Sequence, residues 1–123
     1  MEITFPVLVF EKDSGDILRF ESIAEMQRYL ERIDVENNEY AAWDVNGSPL
    51  RLVVQEPAWL NLVGEANNQE TPDLGDSLKN FARARHVSLT DGDLGLAPLP
   101  LYEVIVAKAG GGRNLAGGFR SRK

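Results

Sequence analysis

The chain predicts an α+β domain, an antiparallel sheet of about five to six strands with two helices on one face, in the order ββαβββαβ. Three observations predict it. Apolar residues alternate with period two over residues 2–10 and again around 40–55, as they do in strands. Ile23, Met26, Leu30 and Ile33 instead form a stripe at helical spacing. Asn46-Gly47 separates two alternating segments, and this dipeptide suits the positive φ angles of a two-residue hairpin turn.

The elements follow in order. In EITFPVLVF, Ile3, Phe5, Val7 and Val9 share one face and Leu8 and Phe10 the other, so the first strand is predicted to be covered on both sides. Pro6 has no amide to donate and points to an edge or a bulge. Lys12 to Asp16 is a turn, and Ile17 to Glu21 is the partner strand. Ser22 and Glu25 have the spacing of a capping box and open a helix that ends near Asp34. Tyr40–Val45 and Pro49–Gln55 then form the hairpin. A two-residue loop sets Trp43 opposite Leu50 in the core and Asp44 diagonal to Arg51. A strand over about Trp59 to Val63 follows the break at Pro57. Residues 64–72 are loop, and Pro72 suits the first turn of a second helix that buries Leu74, Leu78 and Phe81. His86 to Pro100 reads as irregular, and LYEVIVA at 101–107 reads as a last, central strand. Residues 1–109 are thus the domain. Residues 110–123, with five glycines and little to bury, are a basic tail predicted to be dispensable for folding.

Composition narrows the chemistry. A chain of 123 residues is one domain by size. It has no cysteine, which removes thiolate metal sites, disulfides and Cys nucleophiles. No metal-ligand set and no cofactor fingerprint is present. The N-terminus MEITFPVLVFEKD lacks the basic start of a signal peptide, and no apolar run approaches the roughly 18 residues of a membrane span. The predicted location is the cytoplasm, without membrane contact.

Gly75-Asp76-Ser77-Leu78 spells the GDSL of one esterase class. The serine of that class needs a histidine base supplied by a later Asp-x-x-His. Here the only histidine is His86, and Arg83 stands three residues before it. A serine without a base is a weak nucleophile. Asp76 and Ser77 read more simply as the polar first turn of a helix. Lys79, Arg83, Arg85 and His86 read as that helix's solvated face. Asp91-Gly92-Asp93 reads as a turn, since the further ligands of a Ca²⁺ loop are missing. The expectation is that the protein is not an enzyme.

Charge carries more. All 19 acidic residues precede Lys108; residues 1–109 sum to −10 and residues 110–123 to +4. Seven acids against two arginines lie between Glu21 and Asp44. Asp34, Glu36, Glu39 and Asp44, with Tyr40 as an aromatic anchor, are the candidate surface for a basic protein partner, where complementary charge speeds encounter. The alternative is a nucleic-acid or ribosome-associated role through Arg113, Arg120, Arg122 and Lys123, with Phe119 for base stacking.

FESIAEMQRYLERIDVENNEYAAWDVNGSPLRLVV, within about the first 55 residues, resembles small stand-alone bacterial proteins that occur as immunity factors beside secreted toxins. The resemblance is a strand–helix–hairpin pattern with acidity, and no individual residue carries over from it. It implies stoichiometric binding of a basic toxin domain rather than catalysis. Nuclease-directed members of that class are typically acidic because their targets bind phosphate.

Overall fold

The alternation in the first strand buries both of its faces, and the architecture follows from that. The computed structural model describes residues 3–56, 59–64 and 73–110. Strands β1 (Val7–Glu11), β2 (Ile17–Phe20), β3 (Tyr40–Trp43), β4 (Pro49–Val54) and β5 (Leu60–Gly64) form one antiparallel sheet in the order β2-β1-β3-β4-β5. Val7 and Val9 point into one core with Leu18, Phe20, Leu50 and Leu62, closed by α1 (Ile23–Tyr29) and α2 (Arg32–Glu36). Leu8 points into the other with Ile17 and Trp43, closed by α3 (Leu74–Ala84) and α5 (Pro98–Lys108). The α+β class and the antiparallel sheet are as predicted. The helices, however, lie on both faces, since a central strand apolar on each side needs two covers.

Several local expectations are corrected. The segment 101–107 is not a strand but most of α5, with Pro98 and Pro100 in its first turn, where amides have no intrahelical partner. Its β-branched run reads as strand. Yet Leu101, Tyr102, Ile105 and Val106 are the buried set, the spacing of one helix face against Leu78 and Phe81. The sheet therefore has five strands among the described residues.

The helix expected from Ser22 to Asp34 breaks at Leu30, whose ψ of 155° is extended. The new start at Arg32 rotates the stripe, so Val35 is buried and Ile33 is 61% exposed. The predicted capping box is half realised. Ser22 Oγ accepts from the Glu25 amide at 3.1 Å, but the Glu25 carboxylate bonds the amide of Glu21, one residue early.

The β3–β4 register is slipped by one: Trp43 lies opposite Pro49 and Ala42 opposite Leu50. Asp44 causes the slip. Its Oδ1 accepts from the amides of Asn46 and Ser48, both at 2.9 Å, which closes a longer loop with Gly47 at φ +85°. A one-residue slip exchanges faces, so Trp43 and Leu50 belong to different cores. Finally, residues 86–100 contain a short helix, α4 (Asp91–Leu94), opened by a capping box between Thr90 and Asp93. Pro6 precedes β1 and takes no amide from the ladder, so the strand is neither an edge nor bulged. No helix among the described residues is long and apolar enough to cross a membrane.

Candidate functional site: an acidic cleft at one end of the sheet

Two connections meet at one end of the sheet. In the first, the β1–β2 turn, Glu11 donates its amide to Asp16 O at 2.8 Å and Gly15, at φ +81°, donates back to Glu11 O. In the second, α2 ends in a Schellman motif: Glu39 N bonds Asp34 O at 2.9 Å and Asn38 N bonds Val35 O at 3.1 Å. Asn38 takes φ +60° at the position where such caps need a left-handed residue. Lys12 fastens the two connections, with its amide on Glu39 O at 3.0 Å and its Nζ on Asn38 O at 2.9 Å.

Glu11, Asp13, Asp34, Glu39 and Tyr40 line the resulting cleft, which encloses about 220 Å³. Four of the five lining residues are carboxylates and none is basic. Glu11 is 3% exposed, and Ser14 Oγ donates to its Oε1 at 2.6 Å. The Tyr40 hydroxyl donates to Asp34 Oδ2 at 3.3 Å. Burial raises the Tyr40 phenol well above its ordinary pKa, a backbone hydrogen bond from Glu31 opposes this, and the Asp34 and Glu31 charges add to it. The phenol therefore remains a neutral donor. Such a cleft concentrates negative potential and suits an ammonium or guanidinium group. No group of three or more His, Asp or Glu side chains among the described residues is arranged to hold a metal ion.

The fold brings Asp34, Glu39 and Tyr40 together as one lining. Glu36 stays outside it, exposed and paired with Arg32 at 3.4 Å, and Arg32 also reaches Glu56 at 3.1 Å. Asp44 is separated from the others: it follows the far end of β3, roughly 13 Å along the strand from Tyr40, and its carboxylate is engaged in the hairpin loop. Tyr40 is 6% exposed, so it supports the cleft from beneath instead of projecting from it. Sequence reasoning missed Glu11 and Asp13. Their signal was the β1–β2 hairpin, whose turn must lie beside the start of β3 once β1 pairs with β3. Arg113, Phe119, Arg120, Arg122 and Lys123 lie outside the described residues.

Ser77 and His86 take separate positions. Ser77 is buried in the first turn of α3, and His86 is exposed beyond its last turn, at φ +59°. Nine residues of helical rise set them about 13 Å apart. Of the basic group near His86, Arg85 lies over the Phe81 ring and pairs with Asp16, and Arg83 bonds Asn80. The chain matches no protein-family model, no curated protein and no solved structure.

Proposed function

We propose that the protein is a non-catalytic binding protein that sequesters a basic protein domain at the cleft of Glu11, Asp13, Asp34, Glu39 and Tyr40. This is the immunity-type role implied by the resemblance of its N-terminal half. One observation carries the reading: two connections distant in sequence converge to place four carboxylates around one cleft without a basic lining residue. The −10 of residues 1–109 extends the same field over the body, which favours a basic partner and repels nucleic acid. Ile33, exposed on α2 beside Asp34, supplies the apolar contact that the buried Tyr40 does not.

The test compares wild type with Asp34→Lys/Glu39→Lys, using Asp91→Lys on α4 as a control charge reversal outside the cleft. Asp91 is exposed and Asp34 and Glu39 are half-buried at the cleft, so all three proteins are expected to fold, with a thermal midpoint to show it. Capture from the native host should return a basic protein with wild type and the control, and little with the double reversal. With that protein in hand, the double reversal should slow association by about tenfold or more, and the loss should shrink at high salt. Equal capture by all three would sink the reading. So would recovery of mainly RNA, an outcome that favours the basic tail instead.

A further inference from the structure

We propose that Asn61 guards the outer edge of β5 against pairing with a second copy of this chain. Gln55 N donates to Trp59 O at 2.9 Å, and the register continues through Val53↔Asn61, Leu52↔Leu62 and Arg51↔Val63. Hydrogen-bonded and non-hydrogen-bonded pairs alternate along an antiparallel ladder. Counted from the Gln55–Trp59 pair, Asn61 and Val63 exchange bonds with β4, whereas Leu62 does not. The Leu62 amide therefore points away from β4, out of the edge of the sheet.

β5 is last in the strand order, so no strand among the described residues receives that amide. Its acceptor is local: Asn61 Oδ1 at 2.9 Å. The Asn61 carboxamide is held in turn, since its Nδ2 donates to Gln55 Oε1 at 3.0 Å. Asparagine is a poor strand former, and its place in the middle of Leu60-Asn61-Leu62-Val63 needs a reason. The rest of this strand is uncharged and apolar, without the lysine, proline or bulge that usually blunts an edge. Val63 is also exposed on the sheet face next to it.

The partner excluded is a second copy because the geometry suits a two-fold axis. The residues whose backbone groups face outward are Leu60, Leu62 and Gly64. An antiparallel pairing centred on Leu62 sets it opposite its own copy and Leu60 opposite Gly64, as an isologous interface requires. The central donor of that pairing is the amide that Asn61 occupies.

Sedimentation velocity over a range of concentrations tests the proposal on the full chain. Asn61→Val removes the acceptor and should raise the self-association constant about tenfold or more, with a thermal midpoint showing that it folds. Asn61→Asp retains an acceptor and should sediment like wild type. Arg51→Val, on the same face of neighbouring β4, adds apolar surface without freeing the amide and should also match wild type. A folded Asn61→Val no more associated than wild type overturns the proposal. An equal rise with Arg51→Val does the same, because apolar area would then be the cause. If Asn61→Val does not fold, Asn61→Ala serves the same comparison, since alanine also lacks an acceptor.

Discussion

Tyr102 lies 2% exposed in α5, stacked on Phe81 with ring centroids 5.8 Å apart, and its hydroxyl has no hydrogen-bond partner among the described residues. Burial raises its pKa well above the ordinary value, with Glu103 adding and Arg19 and Arg85 opposing, so the group stays neutral. A buried hydroxyl without a partner costs stability, while the ring stabilises by packing. Tyr102→Phe is therefore expected to raise unfolding free energy by about 1 kcal/mol. Tyr102→Ala should lower it by about 3–5 kcal/mol, and urea denaturation separates the two. Ser77 is decided at the same scale. It is buried under the sheet's second cover, far from His86, so Ser77→Ala should change stability by no more than about 1 kcal/mol. A hydrolase activity lost with Ser77→Ala and again with His86→Ala would restore the esterase reading.

Among the elements, α4 depends on a charge. Lys108, in the last turn of α5, donates to Asp93 Oδ2 at 2.7 Å and to Ser88 O at 3.2 Å. The hydrogen bond from Lys108 comes first, then those from the Thr90 backbone and hydroxyl, in holding the Asp93 carboxyl below its usual value of 3.8. A depressed folded-state pKa means that the contribution is complete above the unfolded value and is lost as pH falls through the folded one. Asp93→Asn should thus lower the thermal midpoint at neutral pH, and the difference from wild type should vanish in acid. The sheet, its five strands and α3 were legible in the sequence because alternation, turn residues and a helical stripe agree there. α5 was not, since Val104, Ile105 and Val106 favour a strand locally and only their contact with α3 selects the helix. The break at Leu30 and the slip at Asp44 were missed for a related reason: both depend on which single hydrogen-bond arrangement of a polar side chain or cap prevails. Of the cleft, the half contributed by Asp34, Glu39 and Tyr40 was legible as charge density, and the half from Glu11 and Asp13 required the β1–β3 pairing.

At the scale of the molecule, the sheet is covered by two layers of different origin. Residues 3–64 supply the whole sheet and the α1–α2 layer, and residues 73–108 supply the other layer. The acidic cleft is built entirely within the first group, from Glu11 to Tyr40. Replacing Leu78 by Ala in α3 should therefore cost about 2–5 kcal/mol of stability. In conditions where that variant remains folded, its affinity for a partner captured at the cleft should equal that of wild type, measured by calorimetry. The chain also carries a separate light source for each layer. Its two tryptophans are Trp43, 1% exposed beneath α3 and α5, and Trp59, packed at the margin of the α1–α2 core. Synthesis from the N-terminus delivers everything around Trp59 before the helices that cover Trp43 exist. Emission from a Trp59→Phe variant then reports arrival of the late layer, and emission from a Trp43→Phe variant reports closure of the early one. In refolding, the Trp59 signal is expected to settle no later than the Trp43 signal, so that time-resolved colour reads out the order in which the two sides of the sheet go dry.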